Sequence, residues 1–289
     1  MRPGGMGAAM KSHWPLRMWL FRRFTAIFLS ILISSAVARG VTLDWDAQTW
    51  VNNPDGTPAP NSYEIDGTNP GTDLTITAVG NNGAVFQRDI GPGTPQTPAV
   101  AQTFQGGFGT AQNSLVLALN LANNTQSVTI TLTFSPQYTS GVSNLTFTLF
   151  DIDYQNFSGS STFQDQLTNI QGLGVDGIWI APTITTSAAN ERTGSGLTQV
   201  VTGISSANDT GSNTGAGNVT ISFGTNAITA FTFTYGSGSA FANPTFQHVG
   251  LYDFSFTPVP EINPAWSAVG SCLVAFALIL HHRANFRKK

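Results

Sequence analysis

An all-β fold is expected for this chain, in the form of a single antiparallel β-sandwich or jelly roll. Three observations predict it. Several windows alternate apolar and polar residues with period two, and turn residues punctuate them at short intervals. No stretch of the body longer than ten residues carries a 3.6-residue apolar period built from good helix formers. Many short strands joined by Gly- and Asn-rich turns favour antiparallel layers, whereas a Rossmann-type fold requires a strand–helix alternation that this sequence does not have.

The clearest strand is residues 127–134, where Val128, Ile130, Leu132 and Phe134 point one way and Thr129, Thr131 and Thr133 the other. Further strands are expected at 74–78, 85–89, 115–121, 144–153, 177–180, 218–223, 227–235 and 249–256. Turn signals fall at Pro54-Asp55-Gly56, Asn81-Asn82-Gly83, Ser140-Gly141 and Gly236-Ser237-Gly238. Two longer stretches, 91–109 and 187–217, are rich in Pro or in Ser, Thr, Gly and Asn and are expected as loops.

The two ends differ from the body. Lys11, Arg17, Arg22 and Arg23 precede a ten-residue apolar core at 24–33, followed by Ala36-Val37-Ala38. A basic region, a short apolar core and a small-x-small site predict a signal peptide over residues 1–38, cleaved after Ala38; ten apolar residues are too few to span a bilayer. At the other end, residues 259–289 form a tripartite tail. Pro260-Glu261-Ile262-Asn263-Pro264 is followed by an almost wholly apolar segment at 265–280, then by a basic end at 281–289 with Arg283, Arg287, Lys288 and Lys289. This order predicts a membrane helix with its basic end in the cytoplasm. Sixteen residues span about 24 Å as a helix, short of a hydrocarbon core of about 30 Å, which suits a transient anchor.

The tail resembles the PEP-CTERM sorting signal of Gram-negative bacteria. Pro260 and Glu261 match the motif, Asn263 and Pro264 look like a variant ending, and Ile262 stands where Pro is usual. The resemblance covers about the last thirty residues. It implies recognition and processing by an exosortase, export machinery and the inner membrane as partners, and a final location at the cell surface or in an extracellular, biofilm-type matrix. Exopolysaccharide is then a candidate partner.

Between the ends, residues 39–258 contain three arginines, no lysine and fourteen acids, a net charge of −11, whereas the whole chain carries −3. A body this acidic repels phosphate backbones, which excludes nucleic acid as a partner. The single cysteine, Cys272, lies in the tail, so the body contains no disulfide. Its length suffices for one core without covalent staples.

The sharpest chemical constellation is Asp151 and Asp153 with Asp165. On a strand, residues i and i+2 project to one face, so the first two carboxylates are expected side by side, with Asp165 beyond a Gly/Ser loop. A hard cation such as Ca²⁺ would relieve their repulsion; the alternative is solvated acids at a strand end. Asp44 and Asp46 flank Trp45, for which a core position is expected; exposed Trp or Tyr beside acids would suit sugar stacking. His248 is the only histidine of the body and is expected at a surface or turn. A Ser–His–Asp arrangement with Asp253 is compatible with spacing alone, but no nucleophile-elbow or zinc-protease motif is present. The expectation is therefore a non-catalytic exported protein. The alternatives are a carbohydrate-binding module with a calcium-supported sugar site and, less favoured, a polysaccharide hydrolase.

Overall fold

The computed structural model describes residues 39–67, 71–89, 93–108, 112–157, 161–206 and 214–260. The expected signal peptide with Ala36 and Ala38 lies outside the described residues. So do Glu261, Asn263, Pro264, the apolar segment 265–280 and the basic end. Among the described residues no helix is long and apolar enough to cross a membrane, and the helical pieces are two single turns, Trp45–Ala47 and Gly196–Thr198.

The described chain is all-β, as expected, and its ladders are antiparallel. The strands are β1 (Val41–Leu43), β2 (Asn61–Tyr63), β3 (Leu74–Asn81), β4 (Ala99–Ala101), β5 (Ser114–Asn120) and β6 (Ser127–Phe134). Then come β7 (Val142–Phe150), β8 (Tyr154–Phe157), β9 (Ser161–Gly174), β10 (Trp179–Ile180), β11 (Thr183–Thr186) and β12 (Asn190–Thr193). The last are β13 (Val200–Gly203), β14 (Val219–Ser222), β15 (Ile228–Ser237), β16 (Phe246–Leu251) and β17 (Phe254–Pro258).

One half of the curled sheet runs β2–β3–β6–β15–β9–β13–β12. The other runs β4–β5–β16–β7–β14–β11, with β17 following β16 along the same edge of β7. Alternation explains why the halves face each other. In β6 every apolar residue is buried and the threonines lie on the outer side; β15 repeats the pattern with Phe231, Phe233 and Tyr235 inward. Across the core Phe147 of β7 stacks on Phe231, ring centroids 4.6 Å apart, and lies 6.3 Å from Phe233.

Where the strands differ from expectation, the cause is local. β9 has fourteen residues and no plain alternation. Asn169 takes φ 51° and shifts the register against β15, so Leu167 and Ile170, three residues apart, both reach the core. Residues 85–89 make only isolated bridges, through Phe86 and Arg88. The window 249–256 is two strands, because Asp253 breaks off to accept the Trp45 N–H at 2.8 Å. Ser237 still pairs with Asp165, so the expected turn at 236–238 begins inside β15. The loops 91–109 and 187–217 contain β4, β12 and β13.

Removing a buried phenylalanine leaves a cavity as well as lost contacts, typically about 3–5 kcal/mol. Phe147→Ala should destabilise the fold by that order, read as a lower urea midpoint with an unchanged slope. A loss under about 1 kcal/mol would contradict the packing described.

Candidate functional site

Asp151, Asp153 and Asp165 come together at the end of β7, but not by the alternation expected. β7 stops at Phe150, and Asp151 has φ 66°, a left-handed conformation that Asp adopts more readily than most residues. The pair therefore does not sit on one strand face. The turn carries it inward: Asp151 is 7% exposed, Asp153 3% and Asp165 0%. The solvated alternative is thereby excluded.

The segment is held on several sides. Ile152 donates its N–H to Gly217 O at 3.0 Å, and its carbonyl accepts from Asn190 Nδ2 at 3.1 Å. The Asp165 N–H donates to Asp153 O at 2.9 Å, and the Asp153 N–H returns to Asp165 Oδ2 at 3.1 Å. Gly203 at the end of β13 permits the close approach, since a Cβ there would lie 1.9 Å from Asp153 O.

Asp165 occupies an inward position of β9 where its neighbours Phe163 and Leu167 are apolar. Burial pushes its carboxyl well above the usual range, the charge of Asp153 adds to this, and the Tyr235 hydroxyl, donating to Oδ1 at 2.7 Å, opposes it. Burial also pushes the Tyr235 hydroxyl up, reinforced by Asp165.

His248 is not at the surface; it is 9% exposed. Its ring packs edge-on against Phe104 at 4.8 Å and Phe246 at 5.2 Å, which close that face of β16. Nδ1 lies 3.2 Å from Asp151 Oδ2, an ion-pair distance without hydrogen-bond alignment. Its neighbour Gln247 is fully buried, and neither side-chain Nε2 nor Oε1 meets a hydrogen-bond partner. His248 thus faces Asp151 and not Asp253, so the spacing-compatible relay with Asp253 does not form.

Two further acid groups stand outside this cluster. Trp45 is fully buried and stacks edge-on with Tyr63, as a core residue should, while Asp44 caps the single turn behind it through the Asp46 N–H. The half-buried Asp253 is pushed up to about 6, by burial first and by Asp44 and Asp46 next, while its bond from the Trp45 N–H opposes the rise. The second group was not anticipated. Glu64, Asp66 and Asp73 each offer an oxygen within 4.8 Å of the others, the one such trio among the described residues. Asp73 is fully buried: Oδ2 accepts from Ile65 N–H and Asp66 N–H, and Oδ1 from the Tyr138 hydroxyl at 2.7 Å and from Gln137 Nε2. An E-x-D pair closing on a later Asp across a Gly/Pro loop was the available signal.

Comparison with family models, with curated proteins and with solved structures returns no match. The site is accordingly read from its own geometry.

The raised value at Asp253 has a definite sign. The folded chain binds this proton more tightly than the unfolded chain, whose Asp titrates near 3.8. The favourable contribution is therefore full below about pH 4 and lost as the pH rises through about 6. Asp253→Asn keeps an acceptor for the Trp45 N–H and removes the charge. It should melt higher than the wild type at pH 7 and lose part of the stabilisation gained on acidification to pH 4. Parallel melting-temperature profiles for the two proteins would contradict this.

Proposed function

We propose that this is a non-catalytic, exported surface or matrix protein of a Gram-negative bacterium. Its β body would be delivered through the inner membrane, held there by the tail, released by an exosortase and associated with exopolysaccharide. The observation that carries this reading is the order of the tail: Pro260-Glu261, an apolar segment, then a basic end at the C-terminus, with a signal-like segment at the N-terminus. A two-layered sandwich of jelly-roll type is the finer reading of the curled sheet. The position of the motif against the sheet supports the assignment. β17 runs to Pro258, and Val259 still donates to Gly141 O at 3.0 Å, so only Pro260 separates the body from Glu261. Such a tail leaves the folded body next to the bilayer until it is cut. Replacing Pro260-Glu261 by Ala-Ala should leave full-length protein in the inner membrane of the native host. An unchanged mature C-terminus and location would end this reading.

The second reading is a carbohydrate-binding module supported by a divalent cation, with calcium the expected ion. It is favoured by the burial of Asp151, Asp153 and Asp165 together, since desolvated carboxylates require a proton or a counter-charge. The Glu64–Asp66–Asp73 trio is the competing location, and the oxygens there lie closer together. A bound cation would supply charge compensation; the chain's part is to hold the carboxyls in place. At a hundredfold excess over Kd, binding stabilises the native state by about 2.7 kcal/mol. Chelation should lower the melting temperature. Asp153→Ala should abolish the shift if the ion sits at the end of β7, and Asp66→Ala if it sits in the loop. Identical wild-type curves in EDTA and in millimolar calcium would remove the cation altogether.

A further inference from the structure

The outer face of β3, β6 and β15 carries rows of threonine hydroxyls, interrupted on β3 by the exposed Val79. Thr75 stands opposite Thr133 and Thr77 opposite Thr131; Thr131 is also paired with Thr232, and Thr129 with Thr234. The hydroxyls of the last two pairs lie 3.3 and 3.2 Å apart. No charged side chain occupies an outward position of these strands. At one end these rows run into a cleft of about 490 Å³, within the size range of small-molecule sites. Its lining includes Thr131, Thr133 and Thr229 together with Pro136, Tyr138 and Trp179.

Trp179 is the informative member. It is 43% exposed, although Trp is usually covered, and the body's Trp45 is fully buried. β10 pairs it with Leu173 of β9, so its backbone is fixed by a ladder and not carried on a loose loop. Tyr138 is fixed too, by its bond to Asp73 at 2.7 Å. An exposed indole on a fixed backbone beside threonine hydroxyls gives an apolar face for stacking with donors and acceptors next to it, with little ordering left to do on binding.

We propose that this cleft binds a neutral saccharide, with Trp179 as the stacking platform and the threonine hydroxyls as hydrogen-bond partners. The pyranose C–H face would lie on the indole and its hydroxyls toward Thr131, Thr133 and Thr229. Charge selects the class. The described residues lining the cleft carry none, and a body of net charge −11 repels uronates and phosphorylated glycans. This proposal rests on the exopolysaccharide-associated reading above and gives it a site.

The test uses the full-length protein in detergent. Its binding to neutral glucans, xylans and mannans and to acidic alginate is read by calorimetry, with the tryptophan emission followed in parallel. The wild type should bind at least one neutral glycan, shift its emission on doing so, and ignore alginate. Trp179→Ala should weaken binding on the order of tenfold or more, as loss of a central aromatic anchor does, with an unchanged melting temperature. Trp179→Phe should recover most of the affinity, and Thr133→Val should weaken it without moving the emission of the free protein. Neutral-glycan binding that Trp179→Ala leaves intact would overturn the cleft while keeping the saccharide association. Absence of any neutral-glycan binding would overturn both. Self-association that Trp179→Ala disrupts, with no glycan bound, would assign the exposed ring to a protein contact and end the proposal. None of these outcomes depends on the tail, whose processing is read by localisation alone.

Discussion

The two-faced character of the long strands is the constraint on which the remainder depends. β3, β6 and β15 each carry apolar side chains on one side and threonines on the other. A sheet built this way is stable only where it folds back over its own apolar face. Phe147 meeting Phe231 and Phe233 is the contact that closes it. β7 is the hub on its side, because it pairs with β14 along one edge and with β16 and β17 in succession along the other. The end of β7 is accordingly among the most enclosed parts of the molecule, and the chain leaves it through Asp151, Ile152 and Asp153, all buried.

Enclosure sets the chemistry of that corner. Three carboxyl groups and a histidine sit where solvent cannot balance them, and the carboxyl of Asp165 is held neutral more readily than any exposed acid. Such groups rarely add stability over an apolar replacement, although removing one partner alone is costly. Here they also do local structural work. Asp165 ties β9 to the 151–153 segment through its own N–H and through its carboxylate, which accepts from the Asp153 N–H, and to β15 through Tyr235. The same three residues thus fix three chain segments relative to one another, whatever balances their charge.

Legibility in the sequence followed the physics of each element. β6 could be read directly because it has no interruption, and so could β5, β14 and most of β15. β9 was hidden, although it is the longest strand among the described residues. Its inward position 165 is an acid, and the bulge at Asn169 resets the alternation, so the period-two signal fails twice within fourteen residues. The Asp151–Asp153–Asp165 grouping was legible as composition, but strand alternation does not assemble it: a left-handed Asp151 and the approach of Gly203 do, and neither is visible as a pattern. His248 could not be placed from sequence, because its burial depends on Phe104 arriving from a segment that reads as a loop. Glu64, Asp66 and Asp73 were overlooked because their meeting depends on a loop closing through side-chain bonds to backbone N–H groups, not on strand periodicity.

Charge is divided along the chain in a way that bears on both ends and on the outer face. Nine of the twelve basic residues lie in the two segments that flank the body, and the body keeps three arginines among fourteen acids. Basic flanks next to apolar segments interact with anionic membrane surfaces, whereas an acidic body is repelled by them. No acid lies on β3, β6 or β15, which leaves their outward threonines in a neutral setting. Long-range repulsion from anionic surfaces and polymers is therefore combined with a local uncharged face rich in hydroxyls, bordered by an exposed Trp179. A surface of that kind discriminates by charge at a distance and by shape and hydrogen bonding on contact. Under the proposed export it would meet a polymer matrix while remaining clear of the membrane that its tail had just left.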